Sequence, residues 1–499
     1  MYTTVFCIFW AFALLVVPSA STSDQLISKN CQHACRLLRR RFGPAALHDY
    51  ANDNFTIWDD KQQQVRYACR FEPANAVEVS AALKILVGTW CNFAVKGGGH
   101  SRDPDFSNSV GGVTVDLRRL DTIQVSADGS YSRIGGGAVT ADIYAALDGR
   151  NLSYVGGRSG SVGLGGYATG GGTSPLSSRY GWAVDNIYEY EMVLPNGSIT
   201  RVNEHRHAEL YRALRGAGGG NFGIITAFTV RSFPQGLVYA GERVWNETYT
   251  GAALDEVYDL YTAHDADPDL SFGYYYGYGQ QTGRFTLRGT ERYLSPMQNP
   301  PVFESIHRIP TVTASSQICR LGELVGPARV PANPPPLRHL FQTTTTFPSR
   351  KWLHESFRIF RDEVQHIKSI EALNPQLITY PIPSQAFRGM TLRGGNSLGL
   401  SNVRGPLFLT LLVVAWRSPA DDRLIYDFSD KVFARLETLA RGLNVHHPFK
   451  YIGYGRVGQD IFSSYGAQNH RRLQKTQKAI DPRGIFTSRG LCRGGFKLR

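Results

Sequence analysis

The chain has 499 residues, 42% of them apolar and 19% charged, a composition that excludes a largely disordered protein and exceeds what one ordinary core holds. Two domains, or one domain with a large insertion, are therefore expected. The net charge of +13 raises the question of a nucleic-acid partner, but the densest basic stretches, residues 36–41 and 471–478, read as faces of amphipathic helices. No basic segment is interleaved with aromatic residues to make a base-stacking platform, so no nucleic acid is expected and the charge is assigned to an acidic ligand or a solvated surface.

The first twenty residues have the layout of a secretory signal peptide: thirteen apolar residues, 5–17, followed by Pro18, Ser19 and Ala20, with no Lys or Arg ahead of them. Thirteen residues are short for a bilayer span, so secretion or residence in the secretory-pathway lumen is expected, with no stable membrane span. Acceptor triplets for N-glycosylation at Asn54, Asn151, Asn196 and Asn246 agree with that compartment. Beyond Cys7 there are six cysteines, Cys31, Cys35, Cys69, Cys91, Cys319 and Cys492, which allow fifteen pairings. None are at CxxC spacing and no histidine cluster joins them, so disulfides are preferred to a metal site, first among them one tying the amino-terminal segment to Cys91.

In chain order, residues 24–41 and 76–88 have helical spacing, and 93–96 is a short strand running into a glycine loop. Residues 110–117 and 130–134 read as strands, and Thr140 is expected to cap a helix through Leu147. A second glycine-dense stretch covers 156–172. Residues 185–194 and 198–202 form a hairpin closed at Asn196 and Gly197, followed by a helix over 208–214, the glycines of 216–223 and a strand over 224–230. Between about 235 and 444 the glycine loops give way to aromatic strands, 271–278 and 407–416, and amphipathic helices, 351–367 and 421–439, with a proline-rich connector at 331–336. From Tyr451 the character of the first part returns, with a tyrosine-rich loop and a basic helix ending at Asp481. One domain built from both ends of the chain, with a second inserted, is the organisation this implies.

The three glycine clusters carry the chemistry. The run Val95, Lys96, Gly97, Gly98, Gly99, His100, Ser101 ends an apolar strand in backbone able to fold around an anion and present its N–H groups. Segment 163–168 satisfies GxGxxA with Asp185 twenty residues beyond Gly165, but the following TGGGTSP cannot open the long helix of a dinucleotide-binding βαβ unit. The cluster at 216–223 lacks the GK[ST] ending of a nucleotide-triphosphate loop. Each cluster alone reads as a tight turn. Together they fit a large anionic cofactor lying along a cleft.

These segments, VKGGGHS, GGRSGSVGLGGYATGGG, DNI, LRGAGGGNFGIIT and YGAQNHRRLQKTQKAIDPRGIF, resemble the FAD-linked oxidoreductases of the vanillyl-alcohol oxidase superfamily, in the branch of berberine bridge enzyme and 6-hydroxynicotine oxidase. The resemblance runs from about Tyr67 to Phe233 and resumes from Tyr451 to Phe486. It implies an α+β fold: a two-part PCMH-type FAD-binding domain over 64–235 and 445–499, and an inserted substrate domain over 236–444 of antiparallel sheet covered by helices. It also implies that Lys96, Gly97, Gly98, Gly99 and Ser101 wrap the FAD pyrophosphate, and that Ser161, Val162, Gly163, Gly166, Phe222, Gly223, Ile224 and Tyr451 line the cofactor.

By the same resemblance His100 is the residue bonded covalently to the flavin, with a histidine that only hydrogen-bonds the cofactor as the alternative. Ser159 stands where some relatives have a second, cysteinyl tether, so a single attachment is implied. The usual asparagine of the tail motif is replaced by Gly453, and Tyr454 is the candidate to orient or deprotonate a substrate hydroxyl if its neighbours lower its pKa, or else it packs against the ring. Phe272, Tyr274, Tyr276 and Tyr278 share one strand face, which is either the wall of an aromatic substrate pocket or sheet core. The implied activity is oxidation of a small, aromatic or polycyclic natural product with O2 as electron acceptor and no metal. A carbohydrate or alcohol oxidase, a redox-neutral isomerase or cyclase, and a non-catalytic binding protein are the alternatives.

Overall fold

The structure is a computed structural model that describes residues 28–53, 55–265, 267–329 and 335–499. The expected signal segment, the acceptor at Asn54 and most of the connector at 331–336 lie outside them. Three sheets carry the fold. The first contains β1 (Leu47–His48), β2 (Cys69–Phe71), β3 (Phe93–Lys96) and β4 (Val113–Asp116), in the order β1-β2-β4-β3, with β2 and β3 both parallel to β4.

Next come β5 (Ile123–Val125), β6 (Tyr131–Gly135), β7 (Leu152–Ser153), β8 (Ile187–Val193), β9 (Ile199–Asn203), β10 (Ile224–Arg231) and β11 (Phe233–Pro234). β5-β6-β10-β8-β9 form the second sheet, while β7 pairs only with β11. The β8–β9 hairpin turns as expected, with Gly197 at φ +81°, a conformation costly for any residue with a Cβ.

The third sheet is antiparallel throughout and contains β12 (Val238–Trp245), β13 (Leu270–Gly279), β14 (Arg284–Tyr293), β15 (Thr313–Cys319), β16 (Arg338–Thr346), β17 (Asn374–Ile382), β18 (Leu407–Trp416) and β19 (His446–His447), in the order β15-β12-β14-β13-β17-β18-β16-β19. Helices Glu247–Ala263, Arg350–Val364 and Asp422–Gly442 cover one face. Alternation divides the strands between two cores: Leu377, Phe408 and Leu412 point into the helical layer, whereas Ile378, Leu409 and Leu411 join the core shared with the second sheet. Burial on both faces explains why β18 is apolar apart from Thr410, whose hydroxyl pairs with that of Thr379 at 3.0 Å.

Helix Lys29–Phe42 is fastened to the first sheet by two disulfides, Cys31–Cys91 and Cys35–Cys69. The first is the expected link to Cys91. Cys319 and Cys492 are free and buried, so the even count of thiols is not fully paired. The carboxyl-terminal segment returns to the first sheet: Phe93 N–H donates to the Leu491 carbonyl at 2.9 Å, and Phe486 packs edge-on against Phe93.

Thr140 differs from expectation. It is the first residue of helix Thr140–Asp148 rather than its cap, because both its N–H and its hydroxyl donate to the Val162 carbonyl, at 2.9 and 3.0 Å. Its side chain therefore ties down the second glycine loop.

Candidate active site

The loop after β3 lies directly against the second glycine loop. A Cβ built on Gly98 would stand 2.3 Å from the Gly163 nitrogen, and one on Gly163 would stand 2.2 Å from the Gly98 nitrogen, so only glycine fits at either position. Gly99 has φ +80°. Among the described residues the N–H groups of Gly98, Gly99, His100 and Ser101 find no acceptor, although main-chain donors in a folded interior are normally paired. Consecutive free donors on a glycine cradle fit an anion such as a diphosphate. Ser101 is anchored instead through its carbonyl, which accepts from Gln62 Nε2 at 2.6 Å.

His100 Nε2 is 2.8 Å from Ser161 Oγ, which links the two loops through side chains as well. Its ring stacks on Trp58 at 4.5 Å between centroids and 15° between planes, and Trp58 stacks in turn on His339 at 4.0 Å. Burial, with the Arg102 and His339 charges adding to it, pulls the His100 imidazole down to about 3, so it is neutral near pH 7. Trp58 escaped the sequence reading because it stands in a segment without periodicity.

The Lys96 side chain turns away from the cradle. Its ammonium lies 3.1 Å from Asp116 Oδ1, inside a buried cluster with Arg70, Asp53 and Glu72, so only its main chain is available to the cradle. Val162 presents its carbonyl to Thr140, as above. Gly166 sits in the short helix Leu164–Thr169 with open space where a Cβ would be. That helix ends at Gly170, in agreement with the rejection of a long βαβ helix.

Phe222 and Ile224 are buried in the core. Gly223, at φ +146°, passes so close to β8 that a Cβ would meet the Val193 carbonyl oxygen at 2.4 Å. Asn221 beside them binds the chain terminus, donating to the Phe496 carbonyl and accepting from Leu498 N–H. This cluster therefore joins β10 to the carboxyl-terminal segment.

The tyrosine loop enters from the tail. Tyr451 Oη accepts from Gly172 N–H at 3.0 Å, and its ring packs edge-on against Tyr454 at 4.8 Å. A side chain at Gly453 would meet the Tyr451 ring at 2.7 Å, which accounts for glycine where asparagine is expected. Tyr454 faces Tyr380 at 6.0 Å, and Tyr380 Oη is 3.0 Å from Tyr275 Oη. Burial pushes the Tyr454 phenol up, outweighing the opposing Arg158 charge. The lowered pKa required of a deprotonating Tyr454 is thus not met, and the phenol is a protonated hydrogen-bonding group.

The aromatic face of β13 turns away from this region. Tyr276 stacks on Phe357 at 4.4 Å and 6°, and Phe272, Tyr274, Tyr276 and Tyr278 all belong to the core under the helices. The hydroxyl that reaches the tyrosine cluster is that of Tyr275, on the opposite face, as a period of two requires. Beside it lies a cavity of about 230 Å³ between Gly157, Arg158 and strands β12 to β14.

The mixed first sheet, the antiparallel second sheet and the helix-covered antiparallel third sheet define the α+β architecture of PCMH-type FAD-binding oxidases. The FAD binding domain family matches residues 67–203. The chain is 31% identical to an FAD-dependent monooxygenase of Fusarium proliferatum over 98% of both chains, and 28% identical to a bifunctional solanapyrone synthase of Alternaria solani over 86% of this chain and 81% of that one. Its fold is similar to that of 6-hydroxy-D-nicotine oxidase from Arthrobacter nicotinovorans, with a TM-score of 0.74 and 19% identity, over 91% of this chain and 97% of that one. The chain belongs to the FAD-linked oxidoreductases of the vanillyl-alcohol oxidase superfamily.

Proposed function

We propose that this protein is a secreted FAD-linked oxidase of a small aromatic or polycyclic natural product, with its cofactor tethered through His100 alone. The observation that carries the reading is the apposition of two glycine loops, one ending in unpaired N–H donors, with the His100 ring pinned between Ser161 and Trp58. Residues 98–101 would hold the pyrophosphate through main chain, Ser161, Val162, Gly163 and Gly166 would lie along the cofactor, and Phe222, Gly223 and Ile224 would support it from the core. Bound FAD would supply a two-electron acceptor for a hydride from a substrate C–H bond, with O2 as the final oxidant.

A neutral His100 whose Nε2 is engaged by Ser161 leaves Nδ1 as the nitrogen for the tether. Tyr454, protonated, would orient a substrate hydroxyl by hydrogen bonding, and Tyr451 would brace the loop that carries it. Segments 64–235 and 445–499 would form the cofactor domain and 236–444 the substrate domain. Secretion is supported by two disulfides and by the exposed acceptors Asn151, Asn196 and Asn246. No helix among the described residues is long and apolar enough to cross a membrane. A natural-product substrate agrees with the solanapyrone synthase name borne by one relative.

The test is acid precipitation of the purified protein: yellow colour should stay with the pellet, and His100→Ala should release it. Colour retained by that variant refutes the tether. Peroxide formed in step with O2 uptake identifies an oxidase, whereas turnover without O2 uptake identifies a redox-neutral enzyme.

A further inference from the structure

The cavity beside Tyr275 has an unusual lining for an apolar substrate. Three guanidinium groups, Arg158, Arg288 and Arg292, border it against a single carboxylate, Glu242. Glu242 is committed to the rim, where its Oε2 lies 3.5 Å from Arg288 Nη1 and both side chains are well exposed. The two inner guanidiniums have no such partner: among the described residues neither Arg158 nor Arg292 forms an ion pair with a carboxylate. Arg158 donates only through Nη1, to the carbonyl and hydroxyl of Thr173 at 2.9 and 3.2 Å. Arg292 donates only through Nη1, to the carbonyls of Gly241 and Glu291 at 3.1 and 2.6 Å. Each group therefore keeps its Nε and Nη2 donors free while its position is fixed.

A half-buried cation without a counter-ion is costly, and chains seldom place two around one cavity unless something negative enters it. Burial pulls the Arg292 guanidinium below its ordinary value, with the Arg158 charge adding to the effect and Glu242 opposing it, whereas the tyrosines around Arg158 hold that group above its ordinary value against burial. Fixed, planar forks with spare donors suit an oxyanion better than a mobile ammonium would. Tyr144, Leu321, Leu324 and Val325 give the cavity an apolar side, and Ser271, Tyr275 and Thr290 add hydroxyl groups beside the arginines. Arg158 also connects the cavity to the proposed reaction site, because its guanidinium lies 4.3 Å from the centre of the Tyr380 ring that faces Tyr454.

We propose that the substrate carries an oxygen ionised at neutral pH, which sits against Arg158 and Arg292 while its apolar skeleton lies along Tyr144 and Leu321 toward the tyrosines. The inference rests on the oxidase reading above and adds the charge of the substrate to it. Since a cavity of roughly 150 Å³ accepts benzene, one of about 230 Å³ accepts a single aromatic ring with a carboxylate. Benzoate and its neutral isostere benzamide are therefore suitable probes.

Titrated calorimetrically into the flavin-bearing protein at fixed ionic strength, benzoate should bind at least tenfold more tightly than benzamide. Arg292→Gln and Arg158→Gln should each reduce benzoate binding tenfold or more with little change for benzamide, and Arg292→Lys should retain part of the preference. The flavin spectrum and melting temperature identify any variant that has lost its fold, in which case the other variant and the wild-type preference decide. Equal affinity for the two probes, binding of neither, or a preference surviving in both glutamine variants overturns the inference. A protein purified without flavin overturns the oxidase reading instead, while calorimetry still reports on the anion site.

Discussion

The loop at residues 97–101 and the strand β13 are the two most conspicuous segments of this chain, and they differ in how far their sequence determines their use. In the loop, the contacts are made by backbone, and glycine is demanded at Gly98 by a distance of 2.3 Å that no side chain survives. In β13, four of five aromatic rings share one face, but tyrosines suit a packed core and a ligand pocket equally, so the pattern does not say whether that face meets the helices or the site. Steric exclusion writes itself into residue identity, whereas the facing of a strand flanked by two cores does not.

Substitutions at the two segments separate these cases, and the greatest effect is expected at the loop's last residue. His100→Ala should lose all acid-stable flavin, read from the absorbance of the denatured pellet. On the strand, Tyr276→Ala should destabilise the protein by about 3–5 kcal/mol through loss of a stacked core ring, measured by denaturant unfolding. Tyr275→Phe, one residue away, should cost only about 1 kcal/mol for the hydrogen bond to Tyr380, with its main effect on turnover. Similar stability losses at the two positions would mean the facing of β13 is misassigned.

Within the loop region, Gly98→Ala should cost about 1–3 kcal/mol and deplete flavin, since its Cβ meets backbone that cannot yield. Gly166→Ala, with open space around it, should keep or slightly raise the melting temperature, because alanine favours the helix.

The smallest effect expected is on pH. His447, held down to about 4 by burial and secondarily by the His446 charge, stays neutral in the fold where the unfolded chain takes up a proton. Its contribution is complete above about pH 6.5 and is lost as pH falls toward 4, and solvent around the half-exposed ring keeps it small. His447→Gln should flatten that limb of the stability curve.

Helix Ala76–Gly88 and strands β3 and β18 were legible to the residue, because helical spacing, a glycine stop and a doubly buried apolar run leave one interpretation. Strand β14 was not: its core-facing set Phe285, Leu287, Gly289 and Glu291 contains a buried carboxylate satisfied by Tyr239, Arg243 and His307, partners distant in sequence. β16 ends in four buried threonines that resemble a loop on polarity alone. At the site, glycines and His100 were visible because motif order carried them. Trp58 and the arginines of the cavity were not, since stacking and charge imbalance exist only once the sheets are assembled.

The Cys31–Cys91 bridge closes two residues before β3, the strand that delivers the glycine loop. A covalent clasp at that point makes the geometry of the cradle dependent on the oxidation of thiols 60 positions apart in sequence. Without the two bridges, helix Lys29–Phe42 would be held to the first sheet only by the packing of side chains such as Ala34 and Leu38, and the entry to the strand would be less restrained.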